Sequence, residues 1–564
     1  MTHALLDSLN ERQRLVATTF DAPVCVMAGA GTGKTRAITH RIAYGIHSGR
    51  YQADQVLALT FTQKAAQEMA TRVRGLGVER VSSRTFHSAA LRQLQHFWPK
   101  LTDGFLPEVV TSKAGVIAHV LDTLQIEVDQ AVLRDLASEI EWRKVKGFTV
   151  EEYFHQVDAG VRTLPPGVSA QAMQAVMEGY EKVKDERRRM DFEDVLLATV
   201  GMLESEPAVA ERVRATYRHL VVDEYQDVSP IQQRLVDLWL GGSGDICVVG
   251  DASQTIYTFA GATSDYLVRF GEAYPDARVI TLDDNYRSSQ DIITAANLSI
   301  HGQPGAVELR AHTPATSPLI YASHATDQDE ASWVATRIGQ FLEAGYQPSD
   351  IAVLHRFSAQ ALLTDGALRA AGVSVRSQGG TRFFDQPHVK RAVMEIRGAA
   401  VAHTPGLVHQ VVADILFGLG LTSDEPEHGG ATRSAWEDLQ ALRDLAENFG
   451  EGRTLQEFSE ELVRRAQAHD EPTMQSVTLA TVHAAKGQEW PVVCVVGLSE
   501  GQFPISYADT AEAVAEEQRL FYVAITRAKE QLVLSWAKRN RSHGGAERRI
   551  SRFLRPLGIA TESH

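Results

Sequence analysis

Residues 23–35 read Pro-Val-Cys-Val-Met-Ala-Gly-Ala-Gly-Thr-Gly-Lys-Thr, an apolar run followed by a glycine-rich turn and a Lys-Thr pair. A helical stretch over 36–47 follows directly. Glycines let the backbone wrap closely around a phosphate, so that its N–H groups and the helix N-terminus point at the phosphate oxygens. We expect Lys34 to reach the β- and γ-phosphates of a nucleotide and the Thr35 hydroxyl to bind Mg²⁺. Ala28 replaces the first glycine of the G-x-x-x-x-G-K-[ST] pattern, and a chance glycine-rich turn is the competing interpretation.

Two carboxylates, Asp223 and Glu224, follow a second apolar run at Leu220–Val222. We expect Asp223 to bind Mg²⁺, as the corresponding acid of a P-loop NTPase does. Glu224 would then be available to orient or deprotonate the attacking water. Taken alone, the pair could equally be the acidic start of a helix, but Lys34 and Thr35 in the same chain argue against that alternative.

Short apolar runs that end in polar clusters recur along the chain. Runs that are apolar on both faces and separated by helical stretches indicate strands of parallel sheets, whose ligands lie beyond the carboxyl ends of the strands. Two long helical stretches interrupt this pattern, so we predict an α/β fold with two cores, each carrying a mainly helical insertion. The first core is predicted over 1–103 and 186–278 with its insertion at 104–185, and the second over 279–376 and 476–564 with its insertion at 377–475. The strands are predicted at 24–27, 56–61, 220–222 and 246–249 in the first core, and at 279–282, 319–322, 351–354, 477–480, 492–496 and 531–535 in the second.

Composition narrows the class of protein. The net charge of −15 argues mildly against a non-specific nucleic-acid coat but leaves room for a local basic or aromatic groove. Cys25, Cys247 and Cys494 lie in separate apolar runs, which excludes a CxxC metal pair and favours small buried hydrophobes. No apolar stretch reaches the ~20 residues of a membrane span, and the first residues carry no signal pattern. A cytoplasmic protein is expected.

A set of ordered segments resembles the motifs of the UvrD/Rep/PcrA helicases of superfamily 1. The resemblance runs from residue 9 to about 555 and implies that the two cores are RecA-like P-loop NTPase folds. The segments are Leu9–Gln13 (Q motif), Thr60–Met69 (Ia), Thr85–Ser88 (Ib), Val221–Asp227 (II), Gly250–Ala262 (III), Asn285–Ser288 (IV), Thr481–Glu489 (V) and Phe521–Lys529 (VI).

Within that family, the chain is most similar to the second UvrD paralogue of actinobacteria. The similarity lies in Asp251–Phe259, in Ser138–Lys144 and in the short second insertion. Members of this branch often continue into an HRDC domain and a tetracysteine segment. This sequence ends at His564 with neither, so we expect a naturally short member or a truncated form.

The resemblance implies that ATP lies between the two cores. Gln13 would read the adenine edge, since an amide both donates and accepts, while Tyr286 would stack on the base and Glu489 would hold the ribose. Arg287 and Arg527 would reach the γ-phosphate, where a cis arginine can contribute ~10³-fold or more in rate. The implied catalytic residues are Asp223, Glu224, Gln254, Arg287 and Arg527, with Gln254 as the γ-phosphate sensor. The implied nucleotide contacts are Gln13, Ala28, Gly29, Ala30, Gly31, Thr32, Gly33, Lys34, Thr35, Arg36, Tyr286 and Glu489.

The resemblance also implies a path for single-stranded DNA. Tyr257 and Phe259 would stack on bases, although the family usually has Trp at the second position and Phe offers a smaller face. Core packing against a sheet is the alternative for both. Further contacts are implied for Phe61, Thr62, His87, Arg356 and His483. The mixed aromatic and basic segment Trp142–Lys146 could contact DNA or form a solvated helix face.

The function that these features predict is ATP- and Mg²⁺-dependent 3′→5′ movement on single-stranded DNA with unwinding at junctions with duplex, in DNA repair or replication. One alternative is a translocase that displaces proteins from DNA and unwinds little. A nucleotide-dependent DNA-binding scaffold and a helicase–nuclease subunit are the others. The intact catalytic set argues against the scaffold, and the short stretch after motif VI argues against a nuclease.

Overall fold

The apolar runs of the sequence form parallel strands, as the pattern predicts. The computed structural model describes residues 4–102, 104–110, 112–315, 318–378, 383–422, 431–447, 449–450, 452–468, 475–506, 508–539 and 547–559. The chain folds as two compact units, one of Met1–Asp284 with Gly302–Glu308 and one of Asn285–His301 with Leu309–His564.

The first unit is built on a parallel sheet with the strand order β3-β2-β6-β7-β1-β8. Successive residues of a strand enter opposite layers: Val24 and Val26 lie in one hydrophobic cluster and Cys25 in another. Because both faces are covered, every position of a central strand must be apolar, which explains the unbroken runs. The strands are β1 (Val24–Ala28), β2 (Val56–Thr60), β3 (Ser82–Thr85), β4 (Glu108–Val109), β5 (Arg189–Met190), β6 (His219–Val222), β7 (Ile246–Gly250) and β8 (Arg278–Leu282).

Strand β8 corrects one prediction. Its sequence, 279–282, was expected to open the second core, but it pairs in parallel with β1 of the first sheet, with Val279 opposite Cys25. Hydrophobic periodicity identifies a strand without specifying its partner, so the pattern could not place it. Strand β3 (Ser82–Thr85) escaped the pattern altogether because it carries no large apolar residue.

The helices of the first unit cover both faces of this sheet and form its insertion. The insertion, α6 to α9, has a hydrophobic core of its own. The helices are α1 (Ala4–Asp7), α2 (Glu11–Thr18), α3 (Lys34–His47), α4 (Gln63–Gly75), α5 (Phe86–Thr102), α6 (Lys113–Leu124), α7 (Gln130–Val145), α8 (Val150–Asp158), α9 (Ala170–Glu186), α10 (Phe192–Ser205), α11 (Pro207–Thr216), α12 (Pro230–Leu240), α13 (Asp265–Val268) and α14 (Phe270–Ala273).

The basic segment at the end of α7 is largely buried, which argues against a solvated helix face for Arg143 and Lys144. Trp142, Arg143 and Lys144 are 6%, 7% and 1% exposed. Arg143 and Lys144 both bind Glu181 of α9, and Lys144 also binds Asp191 and Asp194 around the start of α10. The sequence leaves a solvated face and a DNA contact open, because it does not show that matching carboxylates lie 37 to 50 residues further along the chain.

The second unit repeats the plan with the strand order β11-β16-β15-β12-β14-β13, again parallel. Its insertion, α18 to α21, also packs around its own hydrophobic cluster. The strands are β9 (Asp284–Ser289), β10 (Arg310–Thr313), β11 (Ile320–Thr326), β12 (Ile351–His355), β13 (Val375–Gln378), β14 (Val477–Thr481), β15 (Trp490–Val495) and β16 (Ala528–Arg539). The helices are α15 (Gln290–Ile300), α16 (Asp327–Glu343), α17 (Ala361–Ala370), α18 (Pro387–Val401), α19 (Val408–Gly418), α20 (Ala431–Glu447), α21 (Leu455–Ala468) and α22 (Ala511–Ile525).

The predicted fold class, α/β with two P-loop-type cores of parallel sheets flanked by helices, is confirmed. Among the helices of the described ranges, none is both long and apolar enough to cross a membrane.

Candidate nucleotide and DNA site

The glycine-rich loop joins the carboxyl end of β1 to the first residue of α3, Lys34. Gly31 and Gly33 adopt φ values of +69° and +79°, a left-handed region that side chains rarely enter. A Cβ on Gly33 would also lie only 2.7 Å from the Gln13 side-chain nitrogen. The loop therefore needs glycine at position 33 for conformation and for space.

Gln13 is hydrogen-bonded to this loop through its side chain. Its backbone N–H donates to the Asn10 carboxamide at 2.7 Å in the capping box of α2, while its own Nε2 donates to the Thr32 carbonyl at 2.9 Å. Arg36 lies on the exposed side of α3 and donates to the Ser8 carbonyl at 2.8 Å. The Q motif and the loop thus form one hydrogen-bonded assembly.

The acidic pair lies opposite the loop, at the end of β6. The Thr35 hydroxyl donates to Asp223 Oδ2 at 3.3 Å, and Lys34 Nζ lies 3.6 Å from Glu224 Oε1. Burial raises the pKa of Asp223, and the neighbouring negative charge of Glu224 adds to that rise. A hydroxyl and a carboxylate oxygen that face each other beside a phosphate loop are hard oxygen ligands of the kind that Mg²⁺ prefers.

The predicted sensor Gln254 lies after β7, on the 3₁₀ turn Ala252–Gln254. Its Nε2 donates to Asp251 Oδ2 at 2.7 Å, and both side chains are buried. Burial also raises the pKa of the Asp251 carboxyl. The structure therefore brings Lys34, Asp223, Glu224 and Gln254 to the carboxyl ends of β1, β6 and β7, which are neighbours in the sheet.

Three aromatic side chains lie together beyond this turn. The rings of Phe61 and Tyr257 are nearly parallel, with centroids 6.5 Å apart, and the Phe259 ring is tilted by 61° to Tyr257 at 6.3 Å. Phe259 is 58% exposed, which argues against core packing for this residue. Tyr257 is half-buried, and burial raises the pKa of its hydroxyl to about 12.

Two further predicted DNA contacts of the first unit, Thr62 and His87, have different local environments. The Thr62 hydroxyl caps α4 by accepting from the Ala65 N–H at 3.1 Å. The His87 ring lies edge-on to Phe192, with centroids 5.9 Å apart, and burial together with the nearby Lys113 lowers the pKa of His87 to about 4. Phe192 is 49% exposed and was missed by the sequence reasoning. In the sequence, Phe192 stands out only as a large aromatic residue at the first position of a helix, where the fold does not require a core residue.

In the second unit, the nucleotide candidates form a separate group. The Tyr286 ring stacks on His312 at 4.5 Å, with 26° between the planes. Glu489 bridges two cations, Arg287 Nε at 2.5 Å and Lys529 Nζ at 2.8 Å. The positive charge of Arg287 and of Lys529 outweighs burial and lowers the pKa of Glu489.

Arg527 is 1% exposed, and backbone oxygens hold its guanidinium. Its Nε donates to the Val523 carbonyl at 3.0 Å and its Nη1 to the Gln488 carbonyl at 3.1 Å. Gln488 precedes Glu489, so the two predicted arginine fingers are anchored on the same short segment of motif V.

Arg356 forms a two-pronged ion pair with Glu517, with its Nη2 and Nε at 2.7 and 2.8 Å from Oε1. Burial lowers the pKa of His483 to about 4, and the charge of nearby Arg356 contributes to that decrease. The two predicted DNA contacts of this unit are therefore close enough to interact, and Glu517 is a partner that the sequence reasoning did not identify.

A glycine-rich loop that runs into a helix, with a Lys-Thr pair facing two strand-end carboxylates, defines a P-loop NTPase. Comparison with known proteins gives the family. The UvrD/REP helicase N-terminal domain matches residues 9–275, and the UvrD-like helicase C-terminal domain matches 280–403 and 424–539. The chain therefore belongs to the UvrD-like helicases and is an ATP-dependent DNA helicase of the UvrD/PcrA type.

Individual relatives are similar over nearly the whole chain. The ATP-dependent DNA helicase UvrD2 of Mycobacterium tuberculosis is 41% identical over 99% of this chain and 82% of its own length. The ATP-dependent DNA helicases PcrA of Staphylococcus epidermidis and Staphylococcus aureus are 27% and 28% identical over 98% of this chain and 87% of their own length. The predicted family and enzyme class are confirmed, whereas the roles of individual residues stay predictions.

Proposed function

We propose that this helicase couples ATP hydrolysis to 3′→5′ movement along single-stranded DNA, unwinds duplex at single-strand/duplex junctions, and serves DNA repair or replication. The proposal is carried by one short segment of the first unit, residues 251–259, which holds both a nucleotide candidate and a DNA candidate. The sensor candidate Gln254 and the base-stacking candidate Tyr257 lie three residues apart on consecutive turns after β7. A change at the phosphate sensed by Gln254 would therefore reach the DNA contact at Tyr257 through three residues of backbone.

Hydrolysis is assigned to the strand-end cluster. Lys34 would bind the phosphates, Thr35 and Asp223 would hold Mg²⁺, and Glu224 would orient or deprotonate the attacking water. The bound Mg²⁺ would neutralise charge on the β- and γ-phosphate oxygens. The two proposed Mg²⁺ ligands, the Thr35 hydroxyl and Asp223 Oδ2, lie 3.3 Å apart, and Lys34 Nζ lies 3.6 Å from Glu224 Oε1.

The second unit would contribute charge and recognition. Arg287 and Arg527 are proposed to stabilise the γ-phosphate, with Tyr286 stacking on adenine and Glu489 accepting from the ribose. Since Arg287 is paired with Glu489 and Arg527 with backbone carbonyls, contact with a phosphate requires exchange of these partners. That exchange would make the arginines responsive to the nucleotide state.

DNA is proposed to contact the aromatic group through its bases. Stacking contributes roughly 1–3 kcal/mol per base and tolerates any sequence, as a translocating motor requires. Phe61, Tyr257 and Phe259 form the centre of this group, and the exposed Phe192 beside His87 is a fourth candidate. Thr62, His87, Arg356 and His483 would contact the DNA beside these rings.

The test compares wild type with Glu224→Gln and with Glu211→Gln, an exposed acid on α11, as the matched control. We expect DNA-stimulated ATPase and unwinding of a 3′-tailed duplex in wild type and in the control, and near-complete loss of both in Glu224→Gln. Preference for a 5′-tailed duplex would overturn the direction. Hydrolysis with displacement of a DNA-bound protein but without strand separation would replace the unwinding proposal by the translocase alternative.

A further inference from the structure

Gln226 is a buried side chain to which neither the motifs nor the proposed mechanism assigns a role. It is 0% exposed and lies within motif II, two residues after Glu224. Its Nε2 donates to Glu224 Oε2 at 2.6 Å and to Asp227 Oδ2 at 3.1 Å, and its Oε1 accepts from the Asp251 N–H at 3.0 Å. One carboxamide therefore joins the proposed catalytic base to Asp251, the residue that caps the turn carrying Gln254.

The space around this carboxamide is tightly defined. A Cβ on Gly250 would lie 2.6 Å from Gln226 Oε1 and 3.1 Å from the Gln226 backbone nitrogen. The Thr255 hydroxyl also donates to the Gln226 carbonyl at 3.4 Å. Gln226 is thus bound to both ends of the segment 251–255, and glycine at position 250 lets it approach.

Glu224 combines an unusual backbone conformation with a carboxylate that is held at both oxygens. It has a φ of +52°, in the left-handed region that is sparsely populated by residues with a side chain. Lys34 lies 3.6 Å from one carboxylate oxygen, and Gln226 binds the other. A hydrogen bond to an ionised oxygen is short and strong, so it fixes the direction of the carboxylate better than the ion pair does.

We propose that Gln226 is a positioning residue that holds the Glu224 carboxylate in its working orientation and couples that orientation to segment 251–255, and hence to DNA bound at Tyr257. The inference rests on the proposed role of Glu224. The chemistry favours glutamine, because a carboxamide donates to one partner and accepts from the other, whereas an ionised carboxylate only accepts. DNA-dependent stimulation of hydrolysis would pass from Tyr257 through Asp251 N–H and Gln226 to Glu224.

The experiment uses Gln226→Met, which keeps the length but removes the side-chain hydrogen bonds to Glu224, Asp227 and Asp251, and Gln232→Glu as the control. Gln232 is also buried, at 7% exposed, and lies six residues along the chain, but its Oε1 accepts from the Ser229 N–H in a capping box that glutamate also satisfies. In Gln226→Met we expect the DNA-stimulated kcat to fall about 10- to 100-fold, as loss of a hydrogen bond to a charged group predicts. The KM for ATP and the Kd for single-stranded DNA should stay within about threefold of wild type, because Gln226 contacts neither ligand.

Two further measurements separate positioning from general damage. Gly250→Ala leaves every hydrogen-bonding group in place, but its Cβ would lie 2.6 Å from Gln226 Oε1 and 2.8 Å from the Leu267 side chain. Once circular dichroism shows a wild-type fold, this variant should reproduce the loss of kcat with an unchanged KM. In the Glu224→Gln background, Gln226→Met should add little, since both changes act through one carboxylate.

The outcomes discriminate between the two proposals. If Glu224→Gln turns over like wild type, the assignment of the base itself fails. If Glu224→Gln is inactive while Gln226→Met keeps wild-type kcat and DNA stimulation, only the role of Gln226 is overturned. A rise in KM and Kd in parallel with the fall in kcat, or losses that add in the double variant, would assign Gln226 a merely structural role and overturn the inference as well.

Discussion

Replacement of Lys144 by Met tests whether the buried ionic cluster of the first insertion stabilises the fold. Lys144 is 1% exposed, and its Nζ lies 2.8 Å from Asp191 Oδ2, 2.6 Å from Asp194 Oδ1 and 3.0 Å from Glu181 Oε1. Lys184 binds the same three carboxylates. Without Lys144, Lys184 would have to balance Asp191 and Asp194, while Glu181 kept its ion pair with Arg143. The Asp191 side chain is 1% exposed, so water would not replace the lost cation there.

Loss of one partner from a buried ion pair destabilises a protein by about 3–5 kcal/mol. For a domain of this size, 1 kcal/mol corresponds to roughly 2–4 °C, so we expect the first unit to unfold about 6–20 °C lower in Lys144→Met. Scanning calorimetry of the whole chain measures the shift. The control is Lys182→Met, whose side chain is 76% exposed and 4.0 Å from Glu186, and which should change the midpoint by less than about 2 °C. Equal shifts in both variants would refute the reasoning.

The pH dependence gives the prediction a second, independent check. Burial alone would raise the pKa of Asp191, but the charges of Lys144 and Lys184 hold it well below its usual range. A carboxyl with a lowered pKa stabilises the fold above its unfolded pKa, and this stabilisation is lost as the pH falls through the folded value. The deficit of Lys144→Met should therefore be full at pH 7 and smaller near pH 4, where Asp191 of the variant can take up a proton. A deficit that does not change with pH would show that lost packing, rather than unbalanced charge, is responsible.

Three further variants test the ligand contacts. Phe192→Ala should weaken binding of single-stranded DNA roughly 5- to 150-fold in fluorescence anisotropy, since one stacked base is worth about 1–3 kcal/mol; unchanged affinity would remove Phe192 from the path. His87→Gln should leave the slope of log Kd against log salt unchanged at pH 7, because a pKa of about 4 keeps His87 neutral; a shallower slope would mean that it carries charge to a phosphate. His312→Ala should raise the KM for ATP severalfold without altering DNA affinity, because it removes the ring that supports Tyr286; an unchanged KM would contradict that support.

The strands and the strand-end residues could be predicted from the sequence because one physical constraint produces both. Parallel strands that are buried on both faces must be apolar throughout, and polar residues return only where the strand leaves the core. All ten predicted runs are strands, extended by one or a few residues at their ends in most cases. The exceptions follow from the same constraint. Largely polar strands such as β3, β9 and β13 give no such signal, and β8 gives a signal that does not identify its partner strand.

Side-chain partners could not be predicted, because they depend on which distant segments the topology brings together. The partner of Arg356 is Glu517, 161 residues away, and Lys144 meets Asp191 across 47 residues. Neither carboxylate differs in local sequence from an ordinary surface acid. The same limitation applies to Gln226, since motif II identifies a glutamine but not the Asp251 backbone N–H, just after β7, that it binds.

In the first unit, the end of helix α7 packs against the turn that carries a predicted DNA contact, Phe259. Helix α7 ends at Val145, one residue after Lys144, and a Cβ on Gly261 would lie 2.7 Å from the Val145 side chain. The turn that carries Phe259 therefore packs directly on the end of the helix that the ionic cluster anchors to α9 and α10. Because packed elements of this kind move together, loosening the cluster should affect Tyr257 and Phe259 as well as stability. Lys144→Met at a temperature where it is fully folded should thus retain basal ATPase but show weaker stimulation by DNA, and stimulation equal to wild type would show that the cluster stabilises the insertion without constraining the DNA contacts.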